Sequence, residues 1–189
     1  LEFINAELVS RCLSQMKRNK APGIDRIKME HVMYDAHAIV VVHLCVLFKI
    51  MLKHCVVPRL FCNGVIMPIV KDKHGDTSDI NNYRAITLSP CISKLFEMCL
   101  LEQYSDVLQS SPLQFGFKKK LGCSHAIYTL QCVADYFTSH GSTVNISLLD
   151  MSKAFDHVNH AVLFTKLLRK GLPTNVVQLL CSWYSHSNA

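Results

Sequence analysis

From Lys28 to Cys55 the chain contains neither proline nor glycine and is dominated by apolar side chains. Backbone without either breaker, carrying that much surface to hide from water, is predicted to be helical, and Pro58 predicts where it stops. Its most apolar part, Ala38 to Leu52, is interrupted by His43 and Lys49. It also falls short of the roughly 20 residues a bilayer-crossing helix needs, so it reads as a buried helix. A helix of this kind demands a core around it. With 50% of 189 residues hydrophobic, the chain can supply one as a single domain or a large piece of one, which excludes a disordered tail.

The flanking segments follow the same logic. Leu8, Val9, Cys12, Leu13 and Met16 recur at helical spacing and run into Lys17, Arg18, Asn19 and Lys20, predicting an amphipathic helix with a basic end before a turn at Pro22 and Gly23. Gly64 to Lys71 reads as a short strand that Pro68 confines to an edge or bulge, and Tyr83 to Leu88 as its return, so a polar loop between them predicts a β-hairpin. Ser89 and Pro90 introduce a helix whose inner side carries Ile92, Leu95, Phe96, Cys99, Leu100 and Tyr104. Beyond a basic loop from Pro112 to Gly122, Ser124 to His140 reads as a helix ended by Gly141. Thr143 to Asp150, apolar and β-branched, reads as a buried strand delivering Asp150 at its carboxyl end. Asn159 to Tyr184 reads as helical with a break at Gly171 and Pro173.

Lys and Arg outnumber Asp and Glu by 20 to 14, a mild excess that permits a polyanionic partner such as nucleic acid without requiring one. Nine cysteines without a Cys-x-x-Cys pair argue against a disulfide scaffold or a zinc ribbon, and predict buried thiols in a reducing compartment with no disulfide partner. The N-terminus shows no signal peptide and lacks an initiator Met, which suggests an intracellular protein, in cytoplasm or nucleus, met as an excised piece.

The most informative segment is Leu148-Leu149-Asp150-Met151-Ser152-Lys153-Ala154-Phe155-Asp156-His157-Val158-Asn159-His160. A carboxylate ends a hydrophobic run there, and a buried strand has no packing use for an Asp at its tip; the alternative is that Asp150 caps a helix starting near Ser152. The segment resembles the first catalytic motif of reverse transcriptases, in the form found in non-LTR (LINE-type) retrotransposons. Three further blocks resemble the same family in its order: Asn19-Lys20-Ala21-Pro22-Gly23-Ile24-Asp25-Arg26-Ile27, the hairpin arms Ile66-Met67-Pro68-Ile69-Val70-Lys71 and Asn81-Asn82-Tyr83-Arg84-Ala85-Ile86-Thr87-Leu88, and Gln114-Phe115-Gly116-Phe117-Lys118-Lys119-Lys120-Leu121-Gly122-Cys123-Ser124. Ala85 stands where the family usually has Pro, and Arg26 where it usually has a second Gly.

The resemblance implies an α+β fold: the fingers and partial palm of a right-hand polymerase, helix-rich, with a β-hairpin and a truncated antiparallel palm sheet. Residues 1–142 would be the fingers with the fingers-palm connection, and 143–189 the N-terminal part of the palm. It implies that Asp150 is the catalytic carboxylate and, with the backbone carbonyl of Met151, a ligand to magnesium. Two ions serve nucleotidyl transfer in such enzymes, one on the primer hydroxyl and one on the leaving pyrophosphate. Lys71 and Arg84 are the expected triphosphate contacts, a point charge and a planar fork, and Phe155 the expected platform under a deoxynucleotide sugar. Asp156 is expected to make structural hydrogen bonds. Lys20, Lys118, Lys119 and Lys120 are the expected phosphate contacts to RNA template and DNA primer. His157 and His160 have no local spacing that completes a zinc site.

The family completes its metal site with adjacent Asp residues on a later hairpin, and no Asp-Asp pair occurs in this sequence. The expectation is therefore a fragment of a polymerase that does not hold magnesium stably or polymerise alone. The competing expectations are a non-catalytic nucleic-acid-binding remnant and a decayed copy of an element.

Overall fold

The long run without proline or glycine from Lys28 to Cys55 is helical over most of its length. The computed structural model, which describes residues 2–34, 37–151 and 153–187, orders its elements as α1 (Ala6–Gln15), α2 (Met29–Tyr34), α3 (His37–His54), β1 (Val65–Val70), β2 (Tyr83–Leu88), α4 (Cys91–Gln103), α5 (Cys123–Ser139), α6 (His160–Arg169) and α7 (Thr174–His186), with 3-10 turns at Arg59–Cys62 and Ile80–Asn82. The elements belong to two units, Leu1–Leu108 with Ala161–Ala189, and Gln109–His160.

The first unit holds the core. Asn5 starts α1 by accepting the Leu8 N–H at 2.8 Å, and Glu7 in the first turn complements the positive helix end. The helix then buries Leu8, Val9, Cys12 and Leu13 against α3 and α4. α3, read from sequence as a buried helix, is buried on one face only: Val41, Leu44, Cys45, Phe48, Met51 and Leu52 are buried, whereas Ile39, Val42, Val46 and Ile50 are exposed. α4 adds Leu95, Phe96, Cys99 and Leu100, and α7 adds Val176, Val177, Leu179 and Trp183. Three helices meet in one aromatic cluster, with ring centroids 4.9 Å apart for Phe48 and Phe96 and 6.0 Å for Phe96 and Trp183. Each such ring contributes roughly 1.5–3 kcal/mol by leaving water. At the rim, Arg11 Nε donates to Glu102 Oε1 at 2.5 Å and ties α1 to α4.

Gly23 explains how the first turn closes on this core. A Cβ there would stand 2.8 Å from Pro90 N and 2.9 Å from Pro90 Cα, so the turn after α1 lies directly against the backbone that enters α4. β1 and β2 pair antiparallel, with Met67 opposite Ile86, Pro68 opposite Ala85 and Ile69 opposite Arg84. A two-stranded sheet has only edges, which is the setting that admits Pro68. The predicted break after α6 is also present: Gly171 takes φ 90° and Pro173 precedes α7.

The second unit departs from expectation. α5 ends at Gly141, φ 77°, as its sequence predicted, but it buries none of its residues. Residues 143–150, expected to form a buried strand, carry no strand at all, and Leu148 and Leu149 are 87% and 96% exposed. A strand exists only if its N–H and C=O groups find a partner, and the one sheet among the described residues is β1 with β2. The expected palm sheet is therefore not formed among the described residues. The apolar run records where a strand could be buried, and pairing decides whether one forms. Ser152, where a capped helix would have started, lies outside the described residues; 153–157 form a turn, and helix resumes only at His160.

The cysteines divide similarly. Cys12, Cys45, Cys62, Cys91 and Cys99 are buried, whereas Cys123 and Cys132 on α5 are exposed. Burial pushes the Cys91 thiol up to about 11 and the Cys99 thiol higher still. Among the described residues no helix is long and apolar enough to cross a membrane.

Candidate functional site

The hairpin brings its two basic residues onto one side. Cross-strand partners share a face, so Arg84 lies on the face of Ile69. One further ladder bond, Lys71 N–H to Asn82 O at 2.7 Å, carries the alternation on and sets Lys71 on that face as well. Both side chains are exposed; Lys71 Nζ donates to Asn81 O at 2.7 Å, and Arg84 makes no ion pair among the described residues.

The loop between the arms is built rather than slack. Asp72, Asp76 and Asp79 each accept an N–H two residues on, from His74, Ser78 and Asn81 at 2.8–2.9 Å. Asn82 Nδ2 donates to the carbonyls of Asp72 and Asp76, and Tyr83 OH donates to Thr77 O at 2.8 Å. The sequence showed only a polar loop; its fixed shape comes from these side-chain bonds to backbone.

Lys20, also exposed, sits in a turn clasped to α2. Arg18 lies over the Tyr34 ring, 5.2 Å from its centroid, and Asn19, in the left-handed region at φ 56°, donates its N–H to Glu30 Oε1 at 2.5 Å. Lys20, Lys28 and Glu30 line one hollow together with Ala21 and Pro22. Glu30 had no signal in the sequence, because its partner lies eleven residues earlier.

A larger, mostly apolar cavity of about 620 Å³ opens in the same unit between α4, α6 and α7, with Trp183, Leu100 and Leu180 among its walls. Glu97 also lines it, and the loss of water around its carboxyl raises that group's pKa against a weaker opposing pull from Lys94.

In the second unit, Phe155 is 78% exposed and meets Phe117 edge-on, ring centroids 6.1 Å apart, so two of the sequence blocks come together there. Phe117 takes φ 59° and Lys120 φ 64°, which gives the basic loop its sharp course. Lys118 is half-buried and its Nζ donates to Ser111 O at 2.6 Å, while Lys119 and Lys120 are exposed. Asp150 is exposed, and its carboxylate makes no hydrogen bond or ion pair among the described residues; Met151 is 72% exposed. Asp156 joins the turn through its backbone N–H to Lys153 O at 3.0 Å, with no side-chain hydrogen bond among the described residues.

Magnesium requires several converging oxygens, and two adjacent ions require anionic ones. Among the described residues no three His, Cys, Asp or Glu side chains gather, around Asp150 or around His157 and His160. One exposed carboxylate and a neighbouring carbonyl do not fit a two-ion site.

Exposed basic side chains thus stand on the hairpin, in the turn before α2 and, in the second unit, on the loop that carries Phe117. The sequence comparison is more specific: the family model for reverse transcriptase (RNA-dependent DNA polymerase) matches residues 70–189, and the chain belongs to that family. It is similar to the RNA-directed DNA polymerase from mobile element jockey of Drosophila funebris, 25% identical over 186 residues, which are 96% of this chain and 20% of that protein. It is 23% identical over 168 residues to a probable RNA-directed DNA polymerase from transposon BS of Drosophila melanogaster, covering 87% of this chain and 18% of that one. The retrovirus-related Pol polyprotein from type-1 retrotransposable element R2 of Popillia japonica is 27% identical over 100 residues, 53% of this chain and 14% of its own length. The chain thus spans about a fifth or less of these relatives.

Proposed function

We propose that the chain is the substrate-holding part of a non-LTR reverse transcriptase, with residues 1–142 as fingers and fingers-palm connection and 143–189 as the first part of the palm. In the intact enzyme it contributes to adding deoxynucleotides to a primer on an RNA template. Lys71 and Arg84 take the triphosphate, Phe155 underlies the sugar, and Lys20, Lys119 and Lys120 hold template and primer phosphates, with Lys118 joining if it leaves Ser111. The observation that carries this reading is the hairpin register, which turns both basic side chains to one face over a loop stiffened by its own Asp and Asn residues. A triphosphate needs that pairing of a point charge with a planar fork. Asp150 and the Met151 carbonyl are assigned to magnesium in the intact enzyme only. No step is routed through the metal here, because the oxygens present do not fit it, and the isolated chain binds but does not polymerise.

Filter binding of a primed RNA template across a salt series tests the reading. Three lysine contacts predict a slope of log affinity against log salt of about −2 to −3. Lys20→Ala, Lys119→Ala and Lys120→Ala together flatten it, whereas Lys71→Ala with Arg84→Ala weakens a fluorescent deoxynucleoside triphosphate and spares the RNA slope. Salt-independent or absent binding overturns the proposal.

A further inference from the structure

The cavity of about 620 Å³ in the first unit falls within the range of roughly 300–1,000 Å³ that holds a drug-sized molecule. Its walls come from the root of the hairpin, at Gly64 and Thr87, and from α4, α6 and α7. Most of that surface is apolar, so an occupant with a hydrocarbon body is favoured by the area it takes from water.

Glu97 sets what else the occupant carries. It is the one charged side chain among the described residues that line the cavity. Leu100, Leu101 and Tyr104 stand three, four and seven residues further along and line it too, so Glu97 belongs to the face of α4 that looks into the hollow. Side chains on a helix lean toward its N-terminus, and the wall continues in that direction through Ser89 and Thr87. The residue is exposed, and no hydrogen bond or ion pair among the described residues engages its carboxylate. Surrounding protein nonetheless strips enough water from the carboxyl to raise its pKa, against a weaker pull from Lys94. An accessible carboxylate that has lost part of its hydration is stabilised most by a cation that also donates hydrogen bonds, because the attraction strengthens as water is excluded. Phe61, Trp183 and Tyr184 share the walls, and aromatic rings favour a cation over an anion.

We infer that this cavity binds a compact apolar amine in its ammonium form, the hydrocarbon body filling the space beside α4 and α7 and the N–H groups donating to Glu97. The inference stands apart from the polymerase reading, since none of the residues assigned to triphosphate, template or primer lines the cavity.

The test uses the full chain and three probes built on one hydrocarbon cage: 1-adamantylmethylammonium, 1-adamantylmethanol and 1-adamantanecarboxylate. Titration calorimetry at pH 7 gives the affinities. Trp183, on the cavity wall, gives an independent signal, because the cage neither absorbs nor emits where tryptophan does. Wild type is expected to bind the ammonium at least about tenfold more tightly than the alcohol, the scale of one hydrogen bond to a charged group, and the carboxylate most weakly. Glu97→Gln keeps the side-chain shape and removes the charge, so the ammonium loses its advantage while the alcohol holds within about twofold; native Trp183 emission in the variant shows that the fold is kept. Equal wild-type affinity for ammonium and alcohol overturns the inference, as does a Glu97→Gln loss shared by both probes, or no saturable binding of the ammonium at millimolar concentration. In each of these cases RNA and triphosphate binding, and with them the polymerase reading, are untouched.

Discussion

Phe96→Ala asks whether α7, which follows the whole second unit in the sequence, shares one core with α3 and α4. Phe96 is fully buried, 4.9 Å from the Phe48 ring and 6.0 Å from that of Trp183. Truncating a buried Phe removes its transfer free energy and leaves a cavity, together about 3–5 kcal/mol. Loss of two ring contacts, each about 0.5–1.5 kcal/mol beyond burial, puts this site at the upper end. With a urea dependence of about 2 kcal/mol per molar, the unfolding midpoint should fall by about 2 M. For a domain whose whole stability is about 5–15 kcal/mol, that is a large fraction.

The assay is built into the chain. Trp183 is its single tryptophan, it is 8% exposed, and its Nε1 donates to Phe61 O at 3.3 Å. Its emission therefore reports whether α7 is docked. Wild type should show a blue-shifted native signal and one transition, Phe96→Ala the same slope at lower urea, and Phe96→Leu, which keeps most of the volume, a shift of about 0.5 M. Native emission already typical of exposed tryptophan, or an alanine shift under about 0.5 M with unchanged slope, would refute the shared core.

Three other perturbations probe separate features. Glu97 has a raised pKa, so its stabilising contribution is complete below the unfolded value near 4.5 and is lost as pH rises through the folded value; Glu97→Gln should raise the melting temperature at pH 7 and leave it unchanged at pH 4, and equal effects at both would mean that water reaches the carboxyl freely. Gly23→Ala places a Cβ 2.8 Å from Pro90 N and should cost about 1–3 kcal/mol in thermal unfolding, an unchanged melt showing that the turn is not held there. Alkylation at pH 8 read by mass spectrometry should label Cys123 and Cys132 at least about tenfold faster than Cys91 and Cys99, whose thiols are buried and carry raised pKa values; equal rates would contradict the core.

Helices were legible because their cause is local. The spacing of Leu8, Val9, Cys12 and Leu13, the Pro- and Gly-free run through α3 and the stops at Gly141 and Gly171 each act over a turn or two of chain, and each appears in the structure where expected. The hairpin was legible for the same reason, since each arm is a short apolar run and a polar, Gly-bearing loop lies between them. What could not be read were contacts between distant blocks. The Asn19 bond to Glu30 and the Phe117 contact with Phe155 follow from how turns with positive φ bend back, and no pattern of residue types announces them.

Asp150 marks the boundary between these two kinds of knowledge. Lys71 and Arg84 need only a ladder of known register to share a face, so their chemistry is prefigured by strand alternation alone. A carboxylate serves a cation only where other oxygens converge on the same point, and convergence belongs to tertiary structure. The residues leading to it state the same requirement in apolar terms: Ile146, Leu148 and Leu149 are 52%, 87% and 96% exposed, and each would be stabilised by about 25 cal/mol for every square ångström of apolar surface taken from water. Pairing this segment with a strand would hold Asp150 still at the strand's end, and covering the faces of that sheet would bury those side chains. Burying this segment and fixing the Asp150 carboxylate would thus be one event, which is why a motif so plain in sequence leaves its Asp exposed where no strand among the described residues lies beside it.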